Sequence, residues 1–354
     1  MTTTAPDPTT RAATDTAATE NLDTSTSAGI IRLGNAFCDA QAVLTAVTLG
    51  LFPVLHVAPA TETEIRERLQ LDGRGLGDFL NLLVALGLLE RTPDGGYANA
   101  VGADLHLVPG EPAYIGGFLL RSAHNLYPAW GRLGDALRTG EPQSGADYMD
   151  MIKEPTRLRQ FIGMMDGLTQ VLGPELAAAV DWASHDSLLD VGGCRGNMLA
   201  QILAVHPNLT GAVFDLPEMA PFFAEHQEEL GLSDRTTFHA GSFLTDDVTA
   251  TADVVMVGHV LHDWDAPTRE MIVGKCWAAV RPGGTLVIYD RMLDDAAPSI
   301  ENLVISLDML LVTPGGSEYP AQEVTGYADA LGATGVTVAP LGDYDTLVVC
   351  HKPA

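Results

Sequence analysis

The sequence predicts an α/β chain: a doubly wound, mostly parallel sheet closed by an antiparallel edge hairpin, preceded by a mostly helical unit of winged-helix type. Three observations carry this. From Ser187 onward, short apolar runs alternate with helix-like segments, the rhythm of right-handed strand-helix-strand crossovers. Asp190-Val-Gly-Gly193 ends the first run and leads into a helical stretch from Asn197 to Val205, so a glycine turn aims backbone N–H groups at whatever lies above it. Before Ser187, apolar residues recur at helical spacing and a single Asp94-Gly-Gly96 turn marks a hairpin. The domain reading is 1–28 disordered tail, 29–105 winged-helix-like unit, 106–183 helical linker and pocket wall, and 184–354 ligand-binding domain.

Taken in order, residues 1–28 are rich in Thr, Ala, Asp and Pro and almost free of large apolar side chains, too little apolar surface to offset ordering. Lacking a basic start and an apolar core, they are not read as a secretory signal. Ala36, Phe37, Ala40, Val43, Leu44 and Val47 repeat at helical spacing and run into Leu49-Gly-Leu-Phe52, predicting one amphipathic helix. Thr61-Glu-Thr-Glu64 is a capping box, and Leu76 to Leu89 forms the next helix ahead of the hairpin. Helix, helix and hairpin resemble a DNA-binding wing. However, Leu76 to Leu89 holds no Lys or Arg, and the chain has 19 basic against 46 acidic residues, a net charge of −27. Such a helix suits a protein partner rather than a major groove, and such a surface repels phosphate backbones and anionic lipid. No apolar run approaches the roughly 20 residues of a membrane span.

From 106 to 183 the pattern stays helical, broken by Pro109-Gly110, Pro112, Pro128, Gly140 and Pro142. His124, Tyr127, Trp130, Phe161, Met164 and Met165 read first as core packing. Methionines and aromatics also make an adaptable surface for a flat guest. Strands follow at Ser187–Val191, Gly211–Phe214, Thr236–His239, Asp253–Val257, Thr285–Tyr289, Thr337–Ala339 and Thr346–His351, the last two as a hairpin. Asp215 closes the second run, where an acid accepts hydrogen bonds from ribose hydroxyls. Asn197-Met198 after the glycines excludes a nucleoside-triphosphate loop, which needs Lys followed by Ser or Thr. Cys38, Cys194, Cys276 and Cys350 show no metal-ligand spacing and read as free thiols of a reducing, cytoplasmic compartment.

Asp190-Val-Gly-Gly193, Asp215-Leu-Pro217, Gly241-Ser-Phe243, Leu261-His-Asp-Trp264, Arg281-Pro-Gly-Gly284 and Pro314-Gly-Gly-Ser-Glu318 together resemble the S-adenosylmethionine-dependent O-methyltransferases of plant phenolic and bacterial polyketide metabolism, from about Asn35 to the C-terminus. The resemblance implies a class I methyltransferase sheet, a homodimer through the N-terminal unit, S-adenosylmethionine as cofactor and S-adenosylhomocysteine as product, with no metal. It assigns Gly192 and Gly193 to the methionyl part of the cofactor, Asp215 and Leu216 to the ribose, and Gly241, Ser242 and Phe243 to the adenine. Gly258, His259 and Trp264 complete the cofactor site. His262 becomes the general base, flanked by Asp290 and Glu318. Phe161, Met164, Met165, His124, Asn302 and Met309 are assigned to the acceptor pocket. The chain departs from the family at Ser242, where an aspartate is common, at Gly258, where plant members carry lysine, and at Cys194 and Arg195, where small residues are usual.

The residues also admit plainer roles. If the strand before it continues, His259 points to the opposite side from the site, as a structural or pocket-lining residue. Asp263 reads as the cap of a helix from Ala266 to Val280, and Trp264 as packing near the adenine. A phenol of pKa about 10 and an imidazole of about 6.5 face an uphill proton transfer of roughly 5 kcal/mol, which flanking carboxylates reduce. The expected function is methylation of an aromatic hydroxyl on a polyketide-type small molecule. Two alternatives stay open: a cofactor-binding relative performing hydroxylation or pericyclic chemistry, and a winged-helix DNA-binding regulator. The acceptor's identity is not legible.

Overall fold

The computed structural model describes residues 23–111, 113–145, 152–294, 296–297 and 299–354. Most of the expected tail, 1–22, lies outside the described residues. Its last two residues already belong to a helix, Ser27–Gly34, because the Thr26 side chain accepts the Gly29 N–H and caps it. The chain divides into two units, 1–111 and 112–354. The division therefore falls after Glu111, and the segment expected as a separate pocket wall belongs from 112 onward to the larger unit.

In the smaller unit the single helix expected over Ala36–Phe52 is two, Ala36–Thr48 and Leu51–Val57. Gly50 sits between them at φ +72, a left-handed conformation that ends one helix and that apolar spacing cannot register. The Thr61 capping box forms as expected and starts Glu62–Arg68. Leu76–Ala85 stops four residues before Leu89, since Gly87 turns at φ +74 and Leu89 opens a strand. That strand, β1 (Leu89–Arg91), pairs antiparallel with β2 (Tyr97–Asn99). Leu51, Phe52, Ile65, Leu80 and Leu83 fill this unit's interior, whereas Ile30, Ile31, Leu33 and Phe37 are each more than half exposed.

The larger unit begins with short helices, Gly116–Arg121, Tyr127–Trp130 and Leu133–Thr139, the first two joined by a π-helical turn at Ser122–Leu126. A long helix, Pro155–Ala179, leads to the sheet. Its strands are β3 (Ser187–Val191), β4 (Thr210–Asp215), β5 (Thr236–Ala240), β6 (Ala252–Gly258), β7 (Val280–Asp290), β8 (Thr334–Leu341) and β9 (Asp345–His351). The order is β5-β4-β3-β6-β7-β9-β8. The first five are parallel, and β9 runs antiparallel to both β7 and β8. All seven strands expected from the sequence are present.

Side chains alternate between two helical layers. Leu188, Val254, Met256 and Val287 pack on one face, and Leu189, Val191, Val255, Val257, Leu286 and Ile288 on the other. Burial on both faces is why these strands read as unbroken apolar runs. The chain winds outward from β3 to β4 and β5, then returns to β6 on the other side of β3. A crevice opens at such a switch point beyond the C-terminal strand ends. The glycine turn after β3 and the residues after β6 meet there.

Candidate active site

The turn after β3 holds Gly192 at φ +78, Cys194 at +54 and Gly196 at +75. A Cβ on Gly192 would meet Val260 at 2.6 Å, and one on Gly193 would meet the Asp190 carboxylate at 2.4 Å. Only glycine lets the chain pass that close. Gly192, Gly193, Cys194, Met165, Gly258, His259 and Tyr289 line one pocket together with Asp190 and Asp166.

Asp190, the acid that opens the glycine motif, stands at the end of β3 beside this turn. It is 3 % exposed, and its Oδ2 has no hydrogen-bond partner among the described residues. Burial, and then the charge of Asp215, push its carboxyl up to about 8. Asp215 is also buried and raised to about 6, burial outweighing the N–H groups of Leu216 (2.6 Å) and Cys194 (2.7 Å) that its two oxygens accept. Each Asp215 oxygen keeps a lone pair for a ribose hydroxyl. Two buried acids beside a glycine turn, one of them orphaned, fit a ligand bearing an ammonium and a ribose. The methionyl and ribose parts of S-adenosylmethionine match that donor set.

Around the remaining cofactor candidates the packing is specific. Leu216 lies in an apolar cluster with Met219, Ile162, Cys194 and Phe161. Phe243 meets Trp264 edge-on at 5.9 Å. A Cβ on Gly241 would strike the Phe214 ring at 2.7 Å. Ser242 donates its backbone N–H to Asp246 at 2.8 Å, so an acid is present four residues beyond the position where the family has one. At Gly258 an added Cβ would lie 1.9 Å from the Tyr289 ring, which accounts for the glycine where plant members carry lysine. Arg195, the other departure, pairs with Asp166 at 2.6 Å and so ties the glycine turn to the helix Pro155–Ala179.

Two readings of the stretch after β6 are corrected. The strand ends at Gly258, and His259 turns left-handed at φ +52. Its ring is thereby swung beside that of His262, stacked at 5.9 Å, rather than to the opposite side. Its Nε2 meets Asp345 Oδ1 at 2.5 Å. Asp263 does not cap the next helix. Asp265 does, accepting the Thr268 N–H at 3.0 Å, and the helix spans Ala266–Ala279.

His262 stands on a short turn, Leu261–Asp263. Its Nδ1 meets Glu318 Oε1 at 2.7 Å, with Asp290 Oδ1 at 3.8 Å. Glu318 comes from the loop after the helix Ile300–Val312, and Asp290 is the last residue of β7. Both acids are buried, at 4 % and 0 % exposure, so neither is shielded by water. Tyr319 donates its hydroxyl to Asp290 Oδ2 at 2.5 Å and holds that carboxylate in place, a contact no sequence spacing announced. Burial alone would push the His262 imidazole down, but Asp290, the hydrogen bond with Glu318 and Asp263 outweigh it and raise it to about 10. Burial, opposed by His262 and reinforced by Glu318, raises the Asp290 carboxyl in turn. In its neutral form the ring can keep its proton on Nδ1, toward Glu318, and present Nε2 on its other side to a reacting group.

The residues assigned to the acceptor pocket are less uniform. Met164 and Met309 are buried, and His124 is exposed on the π-helical turn. Phe161 joins the cluster around Met219. Asn302 spends its amide N–H groups on the Met292 and Tyr344 carbonyls, which ties two loops together.

A family model described as the O-methyltransferase domain matches residues 130–334, and one described as the O-methyltransferase dimerisation domain matches residues 31–109. The chain belongs to the O-methyltransferase family. Members use S-adenosylmethionine, the cofactor that the orphaned Asp190 and the buried Asp215 suit. A tetracenomycin polyketide synthesis 8-O-methyl transferase of Streptomyces glaucescens is 40% identical over 327 residues, spanning 92% of this chain and 96% of the relative. An N,N-dimethyltransferase of Streptomyces rimosus is 38% identical over 337 residues, with the same two coverages, 92% and 96%. Human N-acetylserotonin methyltransferase, solved with S-adenosylmethionine, superposes with a TM-score of 0.83 at 22% identity over 92% of this chain and 97% of the human one. It shares the fold.

Proposed function

We propose that this O-methyltransferase methylates an aromatic hydroxyl of a polyketide-type small molecule, with His262 as the general base. The observation that carries this is the orientation of the imidazole: Nδ1 is held by Glu318 at 2.7 Å, which leaves Nε2 as the atom able to accept a proton. Against burial, Asp290, Glu318 and Asp263 raise the ring's proton affinity above that of an ordinary imidazole, which narrows the uphill step from a phenol of pKa about 10, and the neutral ring that accepts the proton becomes available as pH rises. Bound S-adenosylmethionine supplies a methyl group already activated on a cationic sulfur. The chain's own part is to remove the proton at Nε2, to stabilise the imidazolium through Glu318 and Asp290, and to hold the acceptor in line. The polyketide assignment is supported by the Streptomyces glaucescens relative. The dimerisation domain and the exposed Ile30, Ile31, Leu33 and Phe37 support a homodimer, and four free cysteines suit the cytoplasm.

The test is His262→Ala, followed by release of S-adenosylhomocysteine from a panel of phenols and hydroxyquinones. Turnover should fall about 10²- to 10⁴-fold while cofactor affinity stays within about twofold, since no contact of the glycine turn is altered. Unchanged turnover overturns the base. That result would favour an amine acceptor, the reading suggested by the N,N-dimethyltransferase relative, because a neutral amine attacks without prior loss of a proton.

A further inference from the structure

We propose that Arg121 anchors an anionic oxygen group of the acceptor, a carboxylate or an ionised enol, and so selects acidic aromatic acceptors; this rests on the methyl-acceptor reading above. Arg121 ends the helix Gly116–Arg121, where the chain enters the π-helical turn Ser122–Leu126. The helix Ile300–Val312 packs against both that turn and the Leu261–Asp263 turn that carries the base, so the two turns border one region. Short π-helical turns of this kind often mark functional positions.

Asp308 on the helix Ile300–Val312 and Asp263 on the turn of the base are the two acids whose charge acts on the guanidinium. Neither closes on it. Asp308 Oδ1 accepts the Trp130 indole N–H at 2.6 Å, and Asp263 Oδ1 lies 3.9 Å from His262 Nε2 with its side chain 45% exposed. Among the described residues no hydrogen bond or ion pair engages any of the five N–H donors of Arg121. Burial lowers its proton affinity, so the group has given up water without receiving an acceptor among the described residues. A half-buried guanidinium with idle donors gains most from a ligand oxygen, and its planar fork suits a carboxylate bidentately. The other two acids of the site, Glu318 and Asp290, are engaged at His262 Nδ1. The plainer reading is that Arg121 only balances Asp263 and Asp308.

The two readings separate in binding measurements on the full chain saturated with S-adenosylhomocysteine, using 3-hydroxy-2-naphthoate and 2-naphthol as probes. We expect the wild type to bind the naphthoate at least tenfold more tightly. Arg121→Met should remove that preference and leave S-adenosylhomocysteine affinity within twofold, and Arg121→Lys, which keeps the charge without the fork, should retain part of it. A wild type that does not discriminate, or a variant that weakens both probes equally, overturns the proposal. If Arg121→Met does not fold, an undiminished preference in Arg121→Lys overturns the bidentate anchor and a shrunken one sustains it. Binding is read without turnover: naphthoate preference without methylation would count against the reaction proposed above, and methylation without preference would count against Arg121.

Discussion

Replacing Glu318 with glutamine should weaken His262, the proposed base, in a measurable, signed way. The glutamine keeps the size and a hydrogen-bonding oxygen near His262 Nδ1 but removes the negative charge now at 2.7 Å. In the native site Asp290, Glu318 and Asp263 together outweigh burial and lift the imidazole from 6.5 to about 10. Three acids share that rise, so losing one should lower the imidazole by roughly one to two pH units, about 1.5–3 kcal/mol at 1.36 kcal/mol per unit. The acid limb of kcat/KM against pH should move down by that amount. The rate at its maximum should drop roughly 10- to 100-fold, since a weaker base restores part of the uphill proton transfer. Linkage gives a second signature. A histidine raised in the folded state contributes stability that is complete below about 6.5 and is lost as pH rises through about 10, so wild type should lose more stability than Glu318→Gln between pH 7 and 10. A pH-rate profile for the cofactor-saturated variant, together with the imidazole titration followed by NMR, measures both. An unmoved acid limb with full activity would refute the claim that Glu318 sets the proton affinity of His262.

Asp190→Asn should change how stability and cofactor binding depend on pH. A buried acid raised to about 8 lets the folded state keep its full stability below about 3.8 and lose it as pH rises toward 8. The unliganded variant should therefore gain on wild type across that window, while the shift in Tm produced by S-adenosylhomocysteine shrinks. Parallel Tm curves and an undiminished ligand shift would defeat the ammonium role of Asp190. Gly258→Ala would place a methyl group 1.9 Å from the buried Tyr289 ring and should cost about 1–3 kcal/mol in urea denaturation. Adding Tyr289→Leu should recover part of that loss, and a neutral single substitution would contradict the packing.

The strand positions and their parallel order were legible because strands buried on both faces are mostly apolar, as Val254 to Val257 are throughout and Leu188 to Val191 are apart from Asp190. The acid at the tip of β4 and the glycine turn were legible for a related reason: a close backbone approach admits few residue types, and Gly192 and Gly193 have no room for a Cβ. The break at Gly50, the left-handed turn at His259 and the capping of the helix by Asp265 rather than Asp263 were not. A glycine or a polar residue allows several conformations, and contacts with distant segments select among them. By itself, then, the sequence determined where the strands and layers lie and where the glycine turn falls, because hydrophobic periodicity and glycine sterics are local. Only the tertiary structure could bring Glu318 and Asp290 to one imidazole, with Tyr319 on Asp290, leave Asp190 Oδ2 without a hydrogen-bond partner among the described residues and let the charge of Asp263 act on Arg121. Proton affinities depend on burial and on charges a few ångströms away, and those neighbours lie tens to more than a hundred residues apart along the chain.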